Sequence, residues 1–348
     1  MPRSLSASGG HAGAIEALRR AAFLLERQNA SSHRVQAFRR AAGIVAGLSP
    51  AELGQRADAG TLTELPGIGA STAAVASAAV RGETAEYLRN LETVPPPDAA
   101  GGVGLLAALK GDLHSHSDWS DGGSPIREMA QAAVDLGHEY LALTDHSPRL
   151  TVARGLSADR LVEQLEVVAR LNRDLAPFRI LTGIEVDILL DGGLDQDPDL
   201  LARLDVVVAS VHSKLRMPSD EMTRRMVTAI ASRRIDVLGH CTGRLVTGRG
   251  RPASSFDADL VFEACRQFDV AVEINCRPER LDPPRSLVRL AVETGCRFAV
   301  DTDAHAPGQL DWQAFGCARA AECGVPAEAV VNIEGVDELL GWTASHRG

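Results

Sequence analysis

The stretch GDLHSHSDWSDG, residues 111–122, places His114, His116, Asp118 and Asp121 within eight positions. Residues i and i+2 of a β-strand point to the same face, so His114 and His116 can aim two imidazoles at one point, as a metal site requires. An isolated H-x-H reads more readily as the polar end of a strand running into an Asp-Gly turn. The surrounding sequence decides between the two.

Seven short apolar segments follow one another from residue 109 onward: LKGDLHSH, YLALTDH, RILTGIEVDI, LDVVVASVH, IDVLGH, VAVEINC and RFAVDTDAH. Between them, SADRLVEQLEVVARLNRD and DADLVFEACRQF carry apolar residues at helical spacing. This alternation predicts an α/β fold with a parallel barrel or barrel-like sheet. The segment ends share one chemistry: His114 and His116 close the first, Asp145 and His146 the second, Glu185 the third, His212 the fourth, His240 the fifth, and Asp303 and His305 the seventh. In parallel α/β barrels the carboxyl ends of all strands meet on one face, where the loops build the active site. Six of the ten histidines at such ends predict a multinuclear metal site.

Composition limits the alternatives. Of 348 residues, 45% are hydrophobic, enough for one large α/β domain with a smaller companion. The six cysteines form no C-x-x-C pair, and no apolar signal segment follows MPRSLSASGGHAGA, which together predict reduced thiols and a cytoplasmic protein. No apolar run approaches the length of a membrane span. The net charge of −10 is uneven: residues 1–90 hold ten arginines against seven carboxylates, +3, which leaves −13 for the remainder. The N-terminal part is therefore the one suited to meet phosphates.

That part reads as a small helical unit. AIEALRRAAFLLERQ, RVQAFRRAAGIVAGL and, after LPGIG, ASTAAVASAAVRG all have helical apolar spacing. LETVPPPDAAGGVG has the composition of a linker. The expected organisation is a helical domain over 1–92, a linker over 93–108 and the α/β domain over 109–348.

The α/β part resembles the PHP (polymerase and histidinol phosphatase) domain, whose fold is a distorted seven-stranded (β/α) barrel. The family's H-x-H falls on His114 and His116, its first-loop ligand on Asp121, and its T-D-H on Thr144-Asp145-His146. Its glutamate falls on Glu185, its S-V-H on Ser210-Val211-His212, its G-H on Gly239-His240, and its D-A-H on Asp303-Ala304-His305. The resemblance implies three divalent metals: one held by His114, His116, Glu185 and Asp303, one by Glu185, His212 and His240, and one by Asp121, His146 and His305. Glu185 would bridge the first two, and Glu185 and Asp303 would also be catalytic. Clustered metals about 3.5–4 Å apart activate water and neutralise phosphate oxygens, so phosphoester hydrolysis is the expected reaction. Imidazoles and carboxylates without thiolate suit Mn, Zn or Fe without choosing among them, and Cys241 beside His240 is expected to pack. Arg244 in TGRL, with Lys214 and Arg249, could meet a substrate phosphate.

The N-terminal unit resembles the small helical domain that begins family X DNA polymerases. LPGIGAS matches a helix-hairpin-helix turn, in which Gly67 and Gly69 bring backbone N–H groups to a DNA phosphate. SSHRVQAFRRAA matches a 5'-phosphate-contacting segment, which offers His33, Arg34, Arg39 and the neighbouring Arg40 as DNA-binding candidates. The lysines of the related deoxyribose-phosphate lyases match Ser71 and Val75 here, so no Schiff-base amine is present. Only the linker stands where such polymerases carry their polymerase core. The expected function is DNA-end processing, as a 3'-5' exonuclease or 3'-phosphatase. A small-molecule phosphatase, with histidinol phosphate the precedent, and a non-catalytic DNA-binding scaffold are the rivals. The sequence sets neither substrate, metal identity nor oligomeric state.

Overall fold

The computed structural model describes residues 9–346. Residues 1–8, part of the stretch in which no signal segment was read, lie outside the described residues. The chain forms two compact units, one of the described residues up to 96 with 307–309, the other of residues 97–306 with 310 onward.

The first unit contains α1 (Gly10–Arg27), α2 (Ser32–Ala46), α3 (Pro50–Ala59), α4 (Ala70–Val80) and α5 (Glu86–Glu92). Leu18, Ala21 and Leu25 on α1 and Phe38, Ala41 and Val45 on α2 recur at three- and four-residue intervals and are buried together with Leu53 and Val75. Ser49 starts α3 by accepting the Glu52 amide at its hydroxyl. Gly67, before α4, has φ +95, and a Cβ there would lie 2.9 Å from Ile44 Cδ1, so the turn requires glycine.

The second unit is an α/β barrel. Its strands β1 (Gly111–Asp112), β2 (Tyr140–Leu143), β3 (Arg179–Asp187), β4 (Val206–Ser210), β5 (Val237–Leu238), β6 (Ala271–Asn275) and β7 (Phe298–Asp301) lie in chain order and pair in parallel. All seven expected strands are present. Helices Ile126–Leu136, Ala158–Leu175, Ser219–Ala231, Ala258–Gln267, Arg285–Thr294 and Gln313–Cys323 return the chain between or after them. The strand period of two divides the apolar residues between two cores. Val206 and Val208 join Leu113, Tyr140, Ala142, Leu181, Val237, Ala271 and Ala299 in one, while Val207 and Ala209 join the helix-facing core with Val272, Ile274 and Val300. Leu339 and Trp342 of the last helix, Val336–His346, belong to the first of these clusters.

The barrel closes unconventionally. β1 and β7 share no ladder, only a single bridge between Ser115 and Ala304. Side-chain carboxylates take the place of the missing carbonyls: Asp112 Oδ2 accepts from Thr302 N at 3.1 Å, and Asp301 Oδ1 accepts from Leu113 N at 2.9 Å. Asn332 fills the seam, donating from Nδ2 to Asp301 Oδ1 at 2.8 Å and accepting from Val300 N at 2.7 Å. Every one of these backbone donors is thereby satisfied.

The stretch read as a linker is partly ordered. Val103–Ala108 is helical, and Gly102 packs so tightly on the Cys317 carbonyl that a Cβ would collide with it. Among the described residues, no helix is long and apolar enough to cross a membrane.

Candidate metal centre

Glu185, at the carboxyl end of β3, is buried among imidazoles from four other strand ends. Its Oε1 lies 3.2 Å from His212 Nε2 and 2.9 Å from His240 Nε2. Its Oε2 lies 3.5 Å from His114 Nε2, 3.7 Å from His116 Nε2 and 2.7 Å from His146 Nδ1. The two oxygens therefore serve different groups. Asp303 Oδ1 extends the second group, 3.3 Å from His116 Nε2 and 3.9 Å from His114 Nε2. Beyond it, Asp121 Oδ1 stands 3.4 Å from both His146 Nε2 and His305 Nε2. The nine residues expected to ligate metal thus meet. Compact ligand groups form around His116, Asp121, His146 and His305, around His114, His116 and Glu185, and around His146, Glu185 and His212.

The donor atoms fit metal ions better than they fit one another. His114 Nε2, both nitrogens of His116, His146 Nδ1, His212 Nε2 and both oxygens of Glu185 are buried and make no hydrogen bond, although several lie within ion-pair distance. Buried polar groups left so are rare and costly, about 1–3 kcal/mol each. A cation among them would satisfy the set at once.

Partners behind the cluster fix which nitrogen faces it. Glu273 Oε1 lies 2.6 Å from His114 Nδ1, and Asp187 Oδ1 lies 3.2 Å from His212 Nδ1. Each carboxylate holds the proton on Nδ1 and leaves Nε2 free to ligate. His305 Nδ1 lies 2.9 Å from both Asp303 O and Arg277 Nη1, contacts that demand opposite tautomers. A ligating Nε2 selects the carbonyl. Asp145 of the T-D-H motif is no ligand: it accepts from Ser117 N, Ser117 Oγ, Ser120 Oγ and Gln164 Nε2, which ties down the loop carrying Asp121.

Charge is divided to match. Burial opposes the charge on Glu185, yet His212, His146 and His114 hold its carboxyl well below the usual range. Burial likewise opposes Asp303, and Arg277, His114, His116 and Arg280 overcome it. Burial, then the facing His305 and His146, push His116 well below the usual imidazole value and keep it neutral. Asp303 also adopts φ +51, a strained backbone for a non-glycine residue at the centre of the cluster.

The cationic side chains are arranged differently from the expectation. Arg244 does not reach the cluster: its Nε donates to Arg280 O at 3.0 Å and its Nη2 to Leu281 O. Lys214 and Arg249 are exposed. The guanidiniums beside the cluster are those of Arg277, with Nη1 3.7 Å from Asp303 Oδ1, and Arg280, with Nε 3.2 Å from Asp303 Oδ2. They sit in RPER, directly after the sixth strand segment, the one segment with no ligand at its end. Arg225, fully buried, braces the cluster from the next layer by donating to Ile188 O and, at 2.8 Å, Ser213 O, the residue after His212. Cys241 is buried in the helix-facing core.

In the helical unit the DNA-binding candidates also differ among themselves. Arg39 is held by Glu26 through Nε at 2.9 Å and Nη2 at 2.8 Å. Arg34 donates to the Tyr87 hydroxyl at 3.1 Å. His33 and Arg40 are exposed, and Gly69 caps α4, its amide donating to Thr72 Oγ1 at 3.0 Å.

Residues 112–277 match the family model of the PHP domain, and residues 12–85 match that of a helix-hairpin-helix domain. The chain is 41% identical over 234 residues to DNA polymerase/3'-5' exonuclease PolX of Bacillus subtilis, a match covering 67% of this chain and 41% of the relative. The chain thus spans about two-fifths of that relative's length. It is 30% identical over 209 residues to a probable phosphatase of Thermoanaerobacter sp., covering 56% of this chain and 78% of the relative. Among solved structures it is similar to histidinol phosphate phosphatase from Lactococcus lactis in complex with zinc, L-histidinol and phosphate, with a TM-score of 0.45 at 18% identity, over 62% of this chain and 94% of that one.

Proposed function

The chain belongs to the PHP domain family, and on that premise we propose that its barrel is a metal-dependent phosphoesterase acting on DNA ends, as a 3'-5' exonuclease or 3'-phosphatase. One observation carries the reading: buried imidazole and carboxylate atoms without hydrogen bonds, gathered from five strand ends, with Asp303 and His305 of a sixth and Asp121 of one loop beside them. His114, His116, Glu185 and Asp303 would hold one divalent ion, Glu185, His212 and His240 a second, and Asp121, His146 and His305 a third. Mn, Zn or Fe all suit these donors. Ions bound there supply Lewis acidity, activating water and neutralising charge at phosphorus.

The protein's own groups do the rest. Arg277 and Arg280 face the centre with fixed positive charge and would orient a phosphate against it. Glu273 and Asp187 hold the imidazoles in one tautomer, and Arg225 and Asp145 keep the ligand-bearing loops from shifting. The preference for DNA rests on the helix-hairpin-helix match and on the positively charged N-terminal part. Action on a small phosphate monoester is the second reading, supported by the resemblance to a probable phosphatase over most of that relative's length.

The test is the purified protein supplied with Mn and assayed in parallel on 3'-recessed DNA, 3'-phosphorylated DNA and histidinol phosphate. Faster turnover of either DNA is expected. Turnover of histidinol phosphate alone would favour the second reading, and metal-replete protein that binds DNA but hydrolyses nothing would leave a scaffold.

A further inference from the structure

We propose that Lys214, Arg216 and Arg249 form a cationic shelf at the mouth of the barrel that holds backbone phosphates of a single-stranded nucleic acid whose end lies in the metal centre. The proposal rests on the phosphoesterase reading and specifies its substrate as a phosphodiester chain. Residues 213–217, after β4, and 243–251, after β5, contain Lys214, Arg216, Arg244, Arg249 and Arg251 and no Asp or Glu. That is a reversal of local charge in a region that is otherwise acidic.

The two loops are one surface. A Cβ on Gly243 would fall 2.9 Å from Leu215 Cδ2, so the loops touch. Leu245 and Arg251 pair as a short hairpin with Arg249 near its tip, and Val246 N donates to Glu279 O at 2.7 Å, joining the hairpin to the loop of Arg277 and Arg280. The five cations divide by role. Arg244 and Arg251 are committed to carbonyls, the latter to Gly243 O at 2.6 Å, and so build the surface. Lys214, Arg216 and Arg249 are exposed and make no side-chain hydrogen bond or ion pair among the described residues. Carboxylates adjoining these loops are occupied or set back: Asp187 faces His212, Glu279 lies 3.8 Å from Arg277, Asp282 accepts from Thr242 Oγ1 and Arg244 N, and Asp220 and Glu221 begin the next helix.

A monoester bound by Arg277 and Arg280 presents no second phosphate to the shelf. A nucleic acid presents one per residue, and salt-dependent attraction of that kind is how single strands are held without sequence preference. The deep burial of His114, His116 and Glu185 favours a single strand, since stacked and paired bases keep a duplex from threading such a site.

The experiment measures binding of a fluorescent phosphorothioate octathymidylate to the full chain loaded with Mn, by anisotropy across a salt series. Lys214→Ala/Arg216→Ala/Arg249→Ala is expected to weaken binding at least tenfold and to lower the salt slope by about 2, for three single-strand phosphate contacts. Lys214→Arg/Arg216→Lys/Arg249→Lys should bind within about threefold of wild type, since only charge is required. An unchanged slope in the neutral variant, or an equal loss in the charge-keeping variant, overturns the shelf. Should the triple neutral variant fold poorly, Arg249→Ala alone must still lower the slope by about 0.7. Hydrolysis is scored separately: binding without any ester hydrolysis removes the phosphoesterase reading and leaves the shelf, whereas hydrolysis without oligonucleotide binding removes the shelf alone.

Discussion

His114 Nδ1 and Glu273 Oε1 lie 2.6 Å apart, both fully buried, one beyond β1 and the other in the middle of β6. The carboxylate orients the imidazole across the barrel and makes Nε2 the better base. Glu273→Gln, which can no longer accept the proton as a charged partner, should weaken metal binding about 10–100-fold while the barrel stays folded. Metal titration followed by calorimetry reads this directly, and an unchanged affinity would show that Glu273 only fills space.

Glu185 presents one oxygen to His212 and His240 and the other to His114, His116 and His146. Glu185→Ala should therefore lower metal content by more than one equivalent and reduce hydrolysis beyond the roughly 100-fold effect of an outer partner. Elemental analysis of the desalted variant checks it. Loss of a single equivalent with substantial turnover would sink the bridging role.

Arg39 and Glu26 form a two-pronged ion pair whose carboxylate is almost wholly buried. Arg39→Ala removes the countercharge, leaving the Glu26 carboxylate the neutral Gly308 amide at 2.9 Å, and should cost roughly 3 kcal/mol, whereas Arg40→Ala, at an exposed position, should fall within about 0.5 kcal/mol of wild type. Urea unfolding separates the two cases. Equal stabilities would return Arg39 to the DNA-facing role expected from its motif.

Burial pushes the His138 imidazole down to about 4, against an ordinary value of 6.5. Its folded value is depressed, so the unfolded chain takes up the proton first. The stability His138 contributes is complete above pH 6.5 and is lost as the pH falls from there through about 4. His138→Gln should accordingly lose less stability than wild type between pH 7 and pH 5, measured by urea midpoints. Parallel declines would mean that His138 is protonated in the folded state as readily as in water.

The gathering of the candidate ligands was legible because a strand alternates faces and a parallel sheet collects its carboxyl ends, so His114, Glu185, His212, His240 and Asp303 stand out by position. Their supports did not. Glu273 looks like any strand carboxylate in VAVEINC, and its partner is 159 residues away. Arg244 stands in a motif that suggests phosphate binding, yet the carbonyls of Arg280 and Leu281 claim it, while Arg277 and Arg280 follow a strand with nothing at its end to draw attention. Periodicity tells which face a side chain occupies and is silent on which distant group meets it there. In the helical unit the same limit hid Glu26 from Arg39, and the short α3 and α5 lacked enough turns to show a period.

The open edge between β1 and β7 gives the candidate centre a mechanical consequence. His114 and His116 continue one of these strands, and Asp303 and His305 continue the other. A cation gripped by His116 and Asp303 would act as a hoop, fastening the first stave of the barrel to the last where the amide ladder is missing. Only the folded chain offers that grip, so cation concentration enters the folding equilibrium itself. A chelator would then loosen the whole wall of the barrel as well as stopping its chemistry.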